Sequence, residues 1–231
     1  MRKVFFVLVA LCAPLLLVSC GGDDEPSGGE NGSSGGSASG KTDNHEYVDL
    51  GLPSGTLWAT MNVGASSPED YGDYFAWGET TPKQDYSEDN YKWYNTVTGK
   101  YTKYSSSGYV GDKTELDPED DAAYVNWGSG WRMPSPDQIK ELMNECDWKW
   151  TTRNGVGGRL VTSKHNGASL FLPAAGYRRS GDLTGTSYCI YWSRMVSSSG
   201  ARYAIGTEDP GLVNSPRYFG QSVRAVRVSQ N

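Results

Sequence analysis

The spacing of apolar residues along the chain predicts several short strands. The clearest is the segment 56–63, in which Leu57, Ala59, Met61 and Val63 share one face. An alternation of this kind is typical of a strand that is buried on one side. Similar patterns predict further strands at residues 46–50, 73–77, 159–163, 169–172, 187–193, 201–205 and 222–228.

The firmest helix prediction covers residues 135–146. Ser135 and Gln138 have the spacing of a capping box, and Pro136 takes the first helical position. The apolar residues that follow recur at the i, i+3, i+4 and i+7 positions of one buried stripe. They are Ile139, Leu142, Met143 and Cys146.

Two other segments start in the way that helices start. Asp117 and Pro118, with acids in the turn that follows, predict a short helix that ends at Trp127. These acids lack the spacing of a calcium-binding loop, which favours capping over metal binding. Ser67 and Pro68 repeat the cap pattern. Short strands, two or three short helices and long loops in this order predict an α+β fold.

Residues 84–111 contain aromatic side chains without the aliphatic partners of a regular element. Seven tyrosines and tryptophans lie among small and polar residues, and Val97 and Val110 are the only branched aliphatic residues. This composition predicts a long loop or an irregular hairpin. The rings have two interpretations: they build the core of a loop-rich fold, or they form a platform on which sugars stack.

The first 44 residues do not have the composition of a folded domain. Residues 1–19 combine a basic start with an apolar run of 15 residues, which fits a signal peptide and is too short for a membrane span. The run ends in the letters LVSC, which resemble a bacterial lipobox whose cleavage leaves Cys20 as a lipidated N-terminus. A plain secretory signal is the alternative. Residues 20–44 are then the lipidated cysteine and a flexible, Gly/Ser-rich acidic tether, and residues 45–231 form one domain.

The acidic residues after the lipid site favour the cell exterior. Asp23, Asp24 and Glu25 resemble the export signal that sends lipoproteins of Bacteroidota-like bacteria to the outer face of the outer membrane. A solubilising acidic patch is the alternative interpretation. We therefore expect the outer-membrane lipid to be one partner, held by the N-terminal acyl chains, and the domain to face the cell exterior.

Charge and motif content argue against several functions. The net charge is −6, and loss of Arg2 and Lys3 with the signal leaves 19 basic against 27 acidic residues, a net charge of −8. Such a surface repels a phosphate backbone, so we expect no nucleic-acid partner. His45 and His165 lack partners at catalytic or metal-binding spacing, and the chain has no GxSxG, HExxH, CxxC or P-loop motif. We expect no enzyme activity, no metal and no cofactor.

Two cysteines, Cys146 and Cys189, remain after cleavage and lipidation. One interpretation is a disulfide between them, because exported proteins form such bonds. The other is two separate buried thiols. The place of Cys146 on the apolar stripe of the predicted helix favours the second interpretation.

Six short sequence motifs are each a weak signal of a protein family, but their combination is specific. They read YVDLGLPSGTLWA (47–59), FAWGE (75–79), GWRMPS (130–135), FLPAAGYR (171–178), YWS (191–193) and GQSVRAV (220–226). Together they resemble the Fibrobacter succinogenes major paralogous domain, which occurs in surface lipoproteins of gut Bacteroidota. The resemblance covers nearly all of residues 45–228.

That family is similar in architecture to C-type lectin-like folds, including the formylglycine-generating-enzyme branch. The resemblance therefore implies a C-type lectin-like fold, in which the segment 131–134 leads into the capped helix and the C-terminal strand closes a sheet. It also implies core positions, rather than sugar-stacking ones, for Trp58, Trp77, Trp131 and Trp192.

The chain departs from the catalytic branch of that fold. Formylglycine-generating enzymes need a reactive cysteine pair that binds copper. Here Cys146 lies on the core face of a predicted helix, and Cys189 lies in a predicted strand. The fold resemblance therefore does not bring the activity with it.

A looser resemblance concerns residues 188–218. Lectin-like domains at the ends of surface lipoproteins are targets of diversity-generating retroelements, which vary a ligand-facing patch, and this segment has a paratope-like mixture of Ser, Tyr, Arg and Gly. Ordinary loop composition is the alternative. Arginine supplies planar hydrogen bonding and tyrosine a rigid surface. The predicted binding residues are Tyr177, Arg178, Arg179, Tyr188, Arg194, Tyr203 and Tyr218.

The combined expectation is a surface-anchored lipoprotein that presents a lectin-like module, with a glycan or a host, phage or bacterial protein as its ligand. Two other classes stay open. An extracellular enzyme that acts on glycans or modifies proteins needs convergent titratable groups in a pocket. A structural component of a surface assembly needs an exposed sheet edge suited to strand addition.

We expect Cys20→Ala to abolish incorporation of a radioactive fatty acid into the protein in growing cells, because the acyl chains are attached at this cysteine. Fluorography of the immunoprecipitated protein measures the label. Cys12→Ala is the matched control: it removes the other N-terminal thiol and should leave labelling as in the wild type. Equal labelling of Cys20→Ala and the wild type would contradict lipidation at Cys20.

Overall fold

The computed structural model describes residues 39–105, 113–197, 200–206 and 210–228, and it takes in only the backbone of residues 197, 200–206 and 228. This part of the chain is mostly antiparallel β structure with two short helices and loops. The strands are β1 (Ser39–Thr42), β2 (His45–Asp49), β3 (Thr56–Ala59), β4 (Tyr94–Asn95), β5 (Lys100–Tyr101), β6 (Cys146–Arg153), β7 (Val156–Ser163), β8 (Ser169–Pro173), β9 (Tyr177–Arg179), β10 (Asp182–Thr184), β11 (Cys189–Ser197), β12 (Gly200–Gly206), β13 (Gly211–Ser215), β14 (Gly220–Gln221) and β15 (Val226–Val228).

The helices are α1 (Ala122–Trp127) and α2 (Pro136–Glu145), and a single 3-10 turn covers Pro118–Asp120. None of the helices in the described ranges is long and apolar enough to span a membrane. All of these elements belong to one unit of the chain, Gly35–Asn231.

The described strands form five small sheets, and one of these sheets contains strands from both ends of the described chain. Their orders are β1-β2-β3-β15, β10-β9-β14, β11-β12-β13, β6-β7-β8 and β4-β5. In the first sheet β15 pairs with β3 and places Val226 opposite Trp58. The first and last described strands therefore share one sheet, and β15 closes it.

Strand β3 is shorter and more buried than the alternating pattern predicts. It ends at Ala59 rather than at Val63, and all four of its residues are buried. Trp58 packs into a cluster with the stripe of α2, whereas Ala59 packs into a second cluster that contains Trp77 and Trp131. The prediction of a half-buried strand is wrong because β3 has core packed against both of its faces.

The four predicted core tryptophans are buried. Trp58 is 2% exposed, and the other three are 0% exposed. The indole Nε1 of Trp77 donates to the Ser193 carbonyl at 2.8 Å, and that of Trp192 donates to the Phe75 carbonyl at 2.7 Å. The prediction of core positions is confirmed, since rings at these depths cannot stack on a sugar.

The aromatic segment 84–111 contributes a third cluster. Tyr86 and Tyr91 are buried in it together with Tyr74, and β4 and β5 form a short hairpin beside them. The Tyr91 hydroxyl donates to the Trp77 carbonyl at 2.6 Å, which ties this cluster to the second one. The core interpretation is confirmed for these rings. Residues 106–112 of this segment lie outside the described ranges.

Helix α2 begins as the sequence predicts. The Ser135 hydroxyl accepts from the Gln138 backbone N–H at 3.1 Å, and the Gln138 side chain accepts from the Ser135 backbone N–H at 2.9 Å. Ile139 and Leu142 face the first core cluster. The helix ends at Glu145, because Cys146 already pairs with Ser163 as the first residue of β6.

The single helix predicted over 117–127 is instead a 3-10 turn followed by the short helix α1. Asp121, rather than the predicted Asp117, caps α1. Asp117 precedes only the 3-10 turn and makes no side-chain cap bond, whereas Asp121 caps α1. The buried Asp121 carboxylate accepts from the backbone N–H groups of Ala123 and Tyr124 at 2.9 and 3.1 Å. It also accepts from Arg132 Nε at 2.9 Å, so one carboxylate joins α1 to the segment that leads into α2.

Several other predicted boundaries differ from the structure. Residues 73–77 form no strand but a single bridge between Phe75 and Gln221, and the cap pattern at Ser67 leads only into a turn. Residues 39–42, assigned to the tether, are strand β1 and pair with β2. Local composition predicted a tether here, but strand pairing uses backbone groups that every residue of this segment has, and β2 lies beside them.

We expect Asp121→Ala to lower the free energy of unfolding by about 3–5 kcal/mol, because the variant removes a helix cap and charge-assisted hydrogen bonds inside the protein. Guanidinium unfolding followed by fluorescence measures this change. Asp137→Ala is the control: Asp137 lies in the first turn of α2, and its side chain is 90% exposed, so the loss should stay within about 0.5 kcal/mol. Equal losses in the two variants would contradict the central role of Asp121.

Candidate functional site

Strand β9 carries three of the predicted binding residues, Tyr177, Arg178 and Arg179. It lies between β10 and β14, so that Arg178 is opposite Leu183 on one side and opposite Gly220 on the other. Side chains alternate along a strand, which places Tyr177 and Arg179 on one face and Arg178 on the other. The sequence prediction grouped the three residues, and the strand separates them.

A tight turn fixes the start of β9. Gly176 has a φ of +61°, and a Cβ atom at this position would lie 2.2 Å from the Thr184 carbonyl oxygen. Its N–H donates to the Tyr188 carbonyl at 3.1 Å. Only glycine allows the strands to approach this closely, and the contact brings Tyr188 beside the strand.

One face of β9 carries stacked rings. The Tyr177 ring stacks on Phe219 with centroids 5.2 Å apart and planes inclined by 11°. Tyr218 meets the Phe219 ring edge-on at 5.1 Å, and the Arg179 guanidinium lies 5.8 Å from the Phe219 centroid. Tyr188 is 43% exposed, and it lies near Tyr177 because both rings flank Gly185. We call Tyr177, Arg179, Tyr188 and Phe219 the aromatic face; Tyr218 borders this face and packs against the third core cluster.

The aromatic face is open to solvent to different degrees. Arg179 is exposed, and Tyr177 and Phe219 are half-buried. Arg179 forms no ion pair with any described carboxylate. The aromatic face therefore presents a flat apolar surface beside the Arg179 guanidinium, whose hydrogen-bond donors are available to a ligand. This positive group lies on a chain whose net charge is negative.

Arg178 lies on the opposite face of β9. Its guanidinium is 5.1 Å from the centroid of the Tyr74 ring, and Nη1 donates to the Gly181 carbonyl at 3.4 Å. It also forms no ion pair within the described ranges. Arginine without a carboxylate partner keeps donors that a ligand can use.

Arg194 is not part of this surface. Its Nε donates to Glu115 at 2.6 Å, and its Nη1 donates to the Met133 carbonyl and to the Gln138 side chain at 3.0 Å each. These bonds tie β11 to the N-terminus of α2. The sequence pattern could not separate this arginine from the others, because its partners lie 56 to 79 positions away along the chain.

Two predicted site residues fall where no side chain is described. Tyr203 pairs with Trp192 through the backbone of β12, and its side chain lies outside the described residues. Cys20 lies outside the described residues altogether. Lipidation at Cys20 and a binding role for Tyr203 stay predictions.

Phe219 belongs to the aromatic face although the sequence prediction omitted it. That prediction selected tyrosine and arginine and passed over the phenylalanine next to Tyr218. The sequence feature that could have identified Phe219 is the pair of neighbouring aromatic residues, Tyr218 and Phe219, directly before Gly220. At Gly220 the chain begins to pair with β9.

Cys146 and Cys189 are two free, buried thiols. Burial raises the pKa of Cys146 to about 11 and the pKa of Cys189 to about 12. The Cys189 thiol donates to the Leu172 carbonyl at 3.2 Å. The structure therefore follows the interpretation of two separate thiols, and these thiols have the environment of core residues rather than of reactive cysteines.

The described residues contain no cluster of three or more His, Cys, Asp or Glu residues that could hold a metal ion. Comparisons with known proteins give no match: no family model, no curated protein and no solved structure matches the chain.

We expect Cys146 and Cys189 of the unfolded protein to be alkylated by iodoacetamide without prior reduction, because each is a free thiol. In the folded protein at pH 8 neither should react, since burial excludes the reagent and the raised pKa values keep both thiols protonated. Peptide mass mapping measures this. A reduced sample is the control and should give the same pattern; a linked peptide pair that is alkylated only after reduction would contradict the two-thiol arrangement.

Proposed function

We propose that this protein is a surface-anchored bacterial lipoprotein whose C-type lectin-like domain binds a glycan or protein ligand through the aromatic face. The observation that carries the proposal is the stack of Tyr177 on Phe219, with Arg179 and Tyr188 exposed beside it. Aromatic residues and arginine are the types enriched where proteins bind their partners.

The contrast with the other rings of the domain supports this proposal. Trp77, Tyr91 and Tyr104 are buried and bonded to the protein, whereas the aromatic face stays partly open. A large aromatic side chain buries about 150–250 Å² when covered. At about 25 cal/mol per Å², covering a half-exposed ring stabilises a complex by about 2 kcal/mol.

The lectin-like fold is supported by two arrangements that the sequence resemblance implies. The segment 131–134 leads directly into the capped helix α2, and β15 closes the sheet that contains β2 and β3. Short antiparallel strands with two short helices and long loops are compatible with such a fold. The lipid anchor and the outward orientation rest on the residues 1–38, which lie outside the described part of the chain.

We expect Tyr188→Ala to weaken ligand binding by at least about 30-fold, because truncation of a central aromatic contact costs about 2 kcal/mol or more. A glycan array and a host-protein screen with the full-length protein identify the ligand, and titration measures the affinity. Trp150→Ala is the matched control, since Trp150 is also 43% exposed but lies on the β6-β7-β8 sheet.

Unchanged binding by Tyr188→Ala would contradict a role for the aromatic face. A blank result for the wild type in both screens would contradict the binding function itself. Loss of binding in Trp150→Ala to the same extent as in Tyr188→Ala would show that the loss is not specific to the aromatic face.

A further inference from the structure

A small pocket lies on the face of β9 opposite to the aromatic face. It is lined by parts of the segments 72–74 and 82–86 together with Arg178, and its volume is about 170 Å³. We call it the Arg178 pocket. Its lining comes from three separate parts of the chain, and the isolated bridge between Tyr86 and Ser180 joins two of them.

Two buried tyrosines make the wall of the pocket rigid. The Tyr74 hydroxyl donates to the Ala175 carbonyl at 2.6 Å, and the Tyr86 hydroxyl donates to the Tyr74 carbonyl. Burial raises the pKa of Tyr74 to about 12 and also raises the pKa of Tyr86, so both hydroxyls keep these donated bonds at neutral pH. The wall is therefore formed before any ligand arrives, which lowers the entropic cost of binding.

Two charged groups in the pocket have no partner of opposite charge. The guanidinium of Arg178 makes a single hydrogen bond, to a backbone carbonyl, and the Asp73 carboxylate accepts none from the described residues. Although both line the same pocket, they do not form an ion pair with each other. The third charge, Lys83, is already bound to Glu79 and to the Asn90 carbonyl.

These two groups limit the chemistry of the ligand. A guanidinium only donates hydrogen bonds, and a carboxylate only accepts them. A simple anion is attracted by Arg178 and repelled by Asp73. A simple cation is attracted by Asp73 and repelled by Arg178. A zwitterion also matches both charges, but it must give up the hydration of two full charges to enter the pocket. A neutral group with donors and acceptors on neighbouring atoms satisfies both without that cost. Neighbouring hydroxyl groups of a sugar have this property, since each hydroxyl both donates and accepts hydrogen bonds.

The size of the pocket limits the ligand further. Its volume lies below the range of about 300–1,000 Å³ that accommodates drug-sized molecules, so it has room for one ring rather than for a chain of them. We propose that the Arg178 pocket binds a single neutral monosaccharide unit, the terminal residue of a glycan, between Asp73 and Arg178. This inference rests on the proposed binding function and names a second, separate contact site for it.

The test uses full-length protein and a panel of free probes: methyl glycosides of neutral hexoses and pentoses, glucuronate, and glycine as a zwitterion. Saturation-transfer NMR detects binding, and titration gives Kd. We expect at least one neutral methyl glycoside to bind, and Arg178→Gln and Asp73→Asn each to raise Kd at least ten-fold. The matched control is Arg153→Gln, which changes an arginine at the end of β6, outside both the pocket and the aromatic face, and should leave Kd unchanged.

Thermal unfolding of each variant checks that it is folded. If Arg178→Gln does not fold, Arg178→Lys keeps the charge, removes the planar fork and should also raise Kd. Absence of binding by every neutral glycoside would overturn the inference, as would binding of glucuronate or glycine alone. An equal loss in Arg153→Gln would overturn it too.

The outcome is independent of the aromatic face. Tyr188→Ala should leave the Kd for the monosaccharide unchanged, because Tyr188 lies on the other side of β9. If the pocket variants have no effect while Tyr188→Ala abolishes binding of a larger ligand, only the Arg178 pocket is wrong. If Arg178-dependent sugar binding persists while Tyr188→Ala does not weaken binding of the larger ligand, only the role of the aromatic face is wrong.

Discussion

A positive charge with no solvent contact holds distant parts of this chain together. Arg224 is fully buried; its Nε donates to the Asn62 side chain at 2.9 Å, and its Nη1 donates to the Ala59 carbonyl at 3.0 Å. Burial lowers the pKa of this guanidinium, and no described carboxylate pairs with it. A buried charge of this kind costs several kcal/mol unless acceptors meet it. These two hydrogen bonds fix the chain end against β3 and the turn after it.

This constraint also places the candidate site. Arg224 follows β14 by three residues, and Gln221 of β14 pairs with both Phe75 and Tyr177. Fixing this segment beside β9 brings Phe219 under the Tyr177 ring and leaves Arg178 facing Tyr74. The aromatic face and the Arg178 pocket are thus two sides of one strand, held in place by the packing of the C-terminal segment.

Local sequence signals predicted features that depend on neighbouring residues. The capping box of α2 and its apolar stripe are examples, because their partners lie within one or two helical turns. A further local signal was available and unused: Asn154 and Gly155 both have positive φ and join β6 to β7, as expected of an Asn-Gly hairpin turn. By contrast, the bond from Arg132 that ties Asp121 to the segment before α2 spans 11 positions, and no local pattern reveals it.

The sequence alone determined which residues are apolar enough to be buried, where α2 begins, and that aromatic rings are concentrated in a chain of negative charge. Only the tertiary structure decided which side chains meet. Tyr177 stacks on a ring 42 positions away, and Arg178 lies over a ring 104 positions away. Periodicity records the face on which a residue lies, but contacts between distant segments depend on strand register and core packing. For this reason residues grouped by composition became two separate surfaces, and Arg194 became part of the framework.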